Sequence, residues 1–211
     1  MRAMVIAMAA VLMCAASLFV ASVAAIEAPV DTVRRTTDEV LVRVRTDKDG
    51  LRANPTKMYA LVSELIFPHF DFGIMSQFVL GEQWKSAPEP KRTAFVEQFR
   101  KLLVRTYATA LLEYSDQQIE YPSDTATAVK TSTENAKTAT VQQMVSHPSG
   151  GTLPIVYRMH SKTGAWMVFD VSVDGVSLVK TYRSSFTSVL KEGGIDKLIA
   201  NLSEKNKEIG Q

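Results

Sequence analysis

Three histidines, His69, His147 and His160, are the side chains best suited to proton transfer or metal binding near neutral pH. None has a second histidine three to five residues away, so the sequence holds no helical metal pair. The run Phe67-Pro68-His69-Phe70-Asp71-Phe72 sets a carboxylate two residues from an imidazole, the beginning of a His/Asp unit. A hydrolytic triad also needs a serine on a strained elbow, and no Gly-x-Ser-x-Gly stretch is present. Asp71 reads better as the cap of a helix opening at Phe72. Gly193-Gly194 has neither the lysine nor the spacing of a phosphate-binding loop. Asp170 and Tyr157 are the polar groups an enzyme on this chain would have to use deep in a pocket.

Apolar material dominates instead. Phe70, Phe72, Ile74, Met75, Phe78, Val79, Leu80 and Trp84 crowd one short stretch. Residues 29–45 carry Val33, Thr37, Val40, Leu41 and Val44 at helical spacing. Asn54-Pro55 is a cap followed by proline, opening a helix over 55–67 that Pro68 stops. A third helix spans 72–80, with Gly81 after its end. The longest runs from Pro88 to about Tyr114, roughly 40 Å at 1.5 Å per residue, with Phe95, Phe99, Leu102, Leu103, Thr106, Ala110 and Leu111 as its stripe. From Gln118 the texture turns to strands, at 118–121, 125–133, 137–146, 152–160, 165–173 and 176–179. Thr152 to His160 alternates, with Leu153, Ile155, Tyr157 and Met159 on one face, and Met167, Phe169, Val171 and Val173 alternate likewise. Asp174-Gly175 is a hairpin signal. Two helices, 181–191 and 195–207, close the chain. Helices first and hairpin strands second give an α+β domain with a curved antiparallel sheet.

Residues 1–25 read as an export signal: Arg2, then an uncharged apolar run from Ala3 to Val20, then the small residues Ser22-Val23-Ala24-Ala25. Cleavage after Ala25 leaves residues 26–211 as one domain. It also removes Cys14, the single cysteine, and with it disulfides, thiol catalysis and thiolate metal sites. Without Arg2, 23 basic residues face 22 acidic ones, which gives no stripe for nucleic acid. Arg100, Arg105 and Arg183 are read as exposed cations of solvated faces.

The segments from Phe67 to Ser115 and from Trp166 to Phe186 resemble the MlaC family, also called the toluene-tolerance family. Four motifs carry the likeness in order: PHFDF, the VLGxxW step, the LLVRTYAxALLEYS helix and the DGVSLV-xxYRSxF ending. Ala87 before Pro88, and Pro90 after it, depart from the family at one helix start. The resemblance implies helices packed over a curved antiparallel sheet of the NTF2-like kind, enclosing an apolar pocket. It implies a monomeric periplasmic protein without a cofactor and with no catalytic role. Its ligand would be a phospholipid. Its partners would be an outer-membrane lipoprotein–porin complex and an inner-membrane ABC transporter with MCE domains, and its task outer-membrane lipid asymmetry. Periodicity combined with that fold assigns the pocket wall to Phe72, Met75, Val79, Phe99, Leu102, Leu103, Thr106 and Leu111 on the helices. Ile155, Tyr157, Met167, Phe169 and Val171 supply it on the sheet. The competing expectations are a small-molecule enzyme on the same fold and an interaction module with a filled core.

Overall fold

Prolines and short polar caps decide where the helices begin. In the computed structural model, residues 27–122, 130–131, 137–147, 149–161 and 164–207 are described. Helix α1 (Pro29–Thr46) starts on a proline and buries Val33, Val40, Leu41 and Val44. A short α2 (Lys48–Ala53) follows, then α3 (Pro55–Leu65), where the Lys57 N–H donates to Asn54 Oδ1 at 3.1 Å. The chain tightens into a 3₁₀ turn at Phe67–His69 and re-enters a helix as α4 (Phe72–Leu80), which ends at Gly81 with φ 57°. α5 (Glu82–Ser86) leads into α6 (Glu89–Glu113), 25 residues with Pro88 as its N-cap. The sequence does not announce α2 and α5. Each is a single turn or so, too short for periodicity to register.

Among the described residues six strands follow: β1 (Ile119–Glu120), β2 (Lys130–Thr131), β3 (Lys137–Ser146), β4 (Thr152–Ser161), β5 (Met167–Val173) and β6 (Val176–Ser177). All pairings between them are antiparallel, in the order β1-β3-β4-β5-β6, with β2 also on β3. Of the strand expected over 125–133, only 130–131 falls within the described residues. The strand expected over 176–179 stops at Ser177, because its hydroxyl accepts the Lys180 N–H at 3.2 Å and starts α7 (Leu178–Lys205). The two expected C-terminal helices are one element broken at Gly194, whose φ of 64° suits glycine.

β5 departs from simple alternation. Val173 and Val171 pair with Ile155 and Tyr157, but a bulge at Arg158/Met159 then sets Val168 opposite Met159 and Met167 opposite His160. An extra residue in one strand moves everything beyond it to the other side. Phe169 accordingly packs with His160 (ring centroids 6.0 Å apart) and under the Arg158 guanidinium at 4.8 Å. Met167 and Phe169 therefore do not share a face with Val171 and Val173.

The core has three parts. Helices α4, α6 and α7 close around Phe72, Met75, Phe95, Phe99, Phe186 and Leu198, joined by Phe169. Helices α1, α2, α3 and the end of α6 bury Val44, Met58, Leu65 and Leu112. On the sheet, Val141, Met159, Val168 and Val171 pack with Trp166 and with Val33 of α1. Phe67 touches the first two parts and Phe70 the first and third.

Asp71 ties that junction together. Its N–H donates to Val168 O at 2.8 Å, extending the parallel bridge between Phe70 and Val168. Its Oδ1 accepts the Ile74 N–H at 2.8 Å, capping α4 as the sequence implied. Its Oδ2 accepts from His160 Nε2 at 2.9 Å, which joins the helix start to β4. Asp71→Ala should remove about 1 kcal/mol for the cap and about 1–3 kcal/mol for stranding a buried imidazole. Asp71→Asn, which still caps, should lose clearly less. Urea unfolding measures both, and equal small losses under 0.5 kcal/mol would deny Asp71 this role.

Candidate functional site

The three histidines do not assemble. His69 lies toward α1, where burial and then the Arg35 charge hold its pKa below the ordinary imidazole range. His147 sits in the β3–β4 turn, where its Nδ1 is within hydrogen-bond distance of Ser149 Oγ (2.6 Å) and of the Ser149 N–H (3.2 Å). His160, not His69, is the partner of Asp71, a contact 89 residues apart that no local pattern signals. An ionised carboxylate can only accept, so Nε2 carries the His160 proton. Among the described residues its buried Nδ1 has no hydrogen-bond partner. Asp170 is buried but spends its carboxylate on structure. It accepts from Ser177 Oγ at 2.7 Å and from the Val179 N–H at 3.2 Å, holding the start of α7. Among the described residues no three His, Cys, Asp or Glu side chains are grouped to hold a metal ion.

The residues expected to form one apolar wall divide into two kinds. Met75 and Phe99 have no accessible surface and Val79 has 1%; with Phe72, Leu102 and Phe169 they fill the core between α4, α6 and α7. A side chain with no accessible surface borders no void large enough for water, so these residues form packed backing. Leu103 and Leu111 on α6, and Ile155 and Tyr157 on β4, are only half-buried. Val171 is buried beside Tyr157 in the sheet cluster. Thr106 is exposed, its hydroxyl donating to Leu102 O at 2.8 Å. Met167 is half-buried on the His160 side of the sheet. Arg100 is not an exposed cation: it is half-buried, its guanidinium 4.8 Å above Phe72 and 5.4 Å from Phe67.

Tyr157 combines two properties. Desolvation by the surrounding protein pushes its phenol pKa well above the tyrosine range, with a smaller push from Tyr121. Yet the residue keeps accessible surface. Its O–H donates to Gln143 Oε1 at 2.6 Å, and Gln143 Nε2 reaches Tyr121 Oη at 3.5 Å. On α6, Tyr107 stands one turn from both Leu103 and Leu111. It too is half-buried, with its pKa raised chiefly by burial and further by Tyr182. Periodicity selects Leu103, Leu111 and Tyr157 and passes over Tyr107 and the internal Gln143, a polar residue that nothing in a Thr- and Gln-rich strand singles out.

Among the described residues, surface grooves open over two other sets of side chains. One, of about 340 Å³, lies between α2, α3 and α6 over Leu51, Met58, Val104 and Leu112. The other, of about 330 Å³, lies over Leu41 and Ile119 between α1 and the start of the sheet. Neither is lined by Phe99, Tyr157 or Val171. Among the described residues no helix is long and apolar enough to cross a membrane.

Known proteins resemble this chain along most of its length. It is 29% identical over 174 residues to the toluene tolerance protein ttg2D of Pseudomonas putida, covering 82% of this chain and 77% of that protein. It is 24% identical over 180 residues to the intermembrane phospholipid transport system binding protein MlaC of Haemophilus influenzae, covering 83% and 81%. A phospholipid-binding protein from Ralstonia solanacearum, solved in complex with a phospholipid, superposes with a TM-score of 0.73 at 28% identity, covering 84% of this chain and 96% of that one. The family model described as MlaC protein matches residues 34–204, so the fold, the ordered motifs and this match together make the chain a member of the MlaC family.

Proposed function

We propose that the chain is a periplasmic carrier that shields a phospholipid inside the protein. It moves the lipid between an outer-membrane lipoprotein–porin complex and an inner-membrane MCE-domain transporter, and so serves outer-membrane lipid asymmetry. The named relatives support this: one is a binding protein of intermembrane phospholipid transport, and the Ralstonia protein holds a phospholipid. Residues 1–25 act as the cleaved export signal, and residues 26–211 fold as one lipid-binding domain.

The observation that carries the reading is the fold shared with a protein solved in complex with a phospholipid. Tyr157 is half-buried, and desolvation raises its phenol pKa. Ile155 beside it, and Leu103, Tyr107 and Leu111 on α6, are apolar or amphipathic and likewise half-buried. They are the wall in this reading, with Val171 behind Tyr157 and the packed Phe99, Met75 and Val79 layer stiffening it. A phospholipid in water exposes about 30 methylenes at about 0.8 kcal/mol each, near 24 kcal/mol in all, so unaided escape from a membrane is negligible. A carrier lowers that barrier by matching the membrane's apolar interior, and it needs no catalytic group. The dispersed histidines and the structural duty of Asp170 agree with a protein that performs no reaction.

Native mass spectrometry of residues 26–211, made in a bacterial periplasm and purified without detergent, should give an added mass equal to a diacyl phospholipid that organic solvent releases. A clean unliganded mass in folded protein would count against the carrier. Leu103→Glu and Ile155→Glu, at half-buried positions, should cut copurified lipid at least tenfold while circular dichroism stays native. Phe99→Ala should instead destabilise by about 3–5 kcal/mol, as a filled core requires. Full lipid in both glutamate variants would move the wall elsewhere. In an alkaline titration followed at 295 nm, Tyr107 and Tyr157 should keep their protons past the pH of about 10 at which a free tyrosine ionises. Both pKa values are raised in the fold, so the unfolded chain loses these protons first. Stability should therefore be intact below pH 10 and fall progressively above it. Tyr157→Phe and Tyr107→Phe should each lessen that fall, and unchanged alkaline profiles would contradict the burial of both phenols.

A further inference from the structure

This inference rests on the carrier reading above; the groove between α2, α3 and α6 is lined by none of the wall residues assigned there, although Leu111 packs against the cluster that forms its floor. Its floor is apolar and closed: Leu51, Met58, Val104 and Leu112 are each 5% exposed or less. Its rim carries Arg52, Arg105 and Glu113, all exposed. Many surface cations are matched, as in Arg35–Glu27, Arg43–Glu64, Lys48–Asp116 and Lys91–Asp196. Among the described residues, neither Arg52 nor Arg105 has an ion pair, a hydrogen bond or a ring contact. Two guanidiniums against one carboxylate leave the rim positive over a hydrophobic floor.

We propose that this groove is a second binding site, for a single-chain anionic amphiphile: one acyl chain on the Leu51–Met58–Val104–Leu112 floor, with its phosphate or carboxylate head at Arg52 and Arg105. Guanidinium is the side chain best matched to either head, because its planar fork donates two parallel hydrogen bonds. The volume of about 340 Å³ is near the bottom of the range for small-molecule sites, about 300–1,000 Å³, and suits one chain of modest length, not a pair. The apolar floor holds the tail and the rim selects for charge, so both features are needed for binding.

The methionine methyls make the site readable in the protein as purified with its cargo. With ¹³C-methyl methionine, Met58 reports the groove, while Met75 and Met159 report the interior. Dodecyl phosphate and laurate, each below its aggregation limit, should shift the Met58 resonance saturably and leave Met75 and Met159 unmoved. Agreement or divergence of these two probes identifies the preferred head. Dodecanol should bind at least tenfold more weakly, and inorganic phosphate alone should leave Met58 still. The double variant R52Q/R105Q, altered only at exposed positions, should lose at least tenfold in affinity for both anions. The proposal is overturned if Met58 does not respond, if dodecanol matches the anions, or if R52Q/R105Q binds as tightly as the parent. It is equally overturned if loading a diacyl phospholipid shifts Met58 together with Met75 and Met159, because the groove would then belong to the main cavity. The presence or absence of copurified phospholipid does not affect this outcome, so failure here and failure of the carrier reading are distinguishable.

Discussion

One carboxylate, that of Asp71, answers three demands at the point where the helical half of the protein meets the sheet. The backbone has just left a 3₁₀ turn and must start α4 at once, so free N–H groups need an acceptor, and Oδ1 supplies it. The same residue extends a parallel bridge to β5 through its own N–H, and it fixes β4 through the His160 imidazole. Phe67 and Phe70 on one side and Phe72 on the other then fall into the separate parts of the core. Had the helices and sheet docked through apolar contacts alone, their relative position could slide, since apolar contact is non-directional. A buried, directional pair removes that freedom.

The bulge in β5 is the second constraint. It lets one short strand serve two surfaces. Val171 and Val173 stay with Tyr157 and Ile155, while Phe169 turns to the helices and meets Phe78 with ring centroids 6.0 Å apart. Without the extra residue, Phe169 would point to the Tyr157 side and the α4–α7 core would lose an aromatic member. An uninterrupted strand could not seal the helical core and line the opposite face with the same run of residues.

These two features also mark where sequence reasoning reached its limit. Helix α4 and strand β3 are visible residue by residue, because a cap and a glycine bound the first and a run rich in Thr and Val marks the second. The kink at Gly194 is visible because two glycines interrupt an otherwise helical pattern. The bulge is not visible: Met167, Phe169, Val171 and Val173 alternate perfectly, and the slip arises from pairing with β4, a relation between distant segments. The Asp71–His160 pair is hidden for the same reason, as local sequence offers His69 as the nearer and false partner. Arg100 reads as a surface cation because its spacing is helical and its charge is plain, whereas its guanidinium lies over two phenyl rings. Periodicity thus separates inside from outside, but not a half-buried residue from a fully packed one. Phe99 and Leu103 fall on the same predicted stripe, yet Phe99 has no accessible surface and Leu103 is half-buried.

The internal polar groups add a last step. Tyr157 and Gln143 would be poor lining for a lipid if their hydrogen-bonding atoms faced an acyl chain, since an unmet buried donor costs about 1–3 kcal/mol. Instead the phenol donates to the amide, which reaches on to Tyr121. The donors are turned toward one another, and in the proposed carrier ring and methyl surface is left for the ligand. Such a wall gives little reward for any particular chain length or unsaturation, because apolar contact scales with area and not with identity. For an enzyme that indifference would be a defect. A carrier of the proposed kind must accept whatever lipid is delivered and release it to a membrane of nearly equal attraction, and a wall that satisfies its own polar groups and offers only apolar contact suits that task.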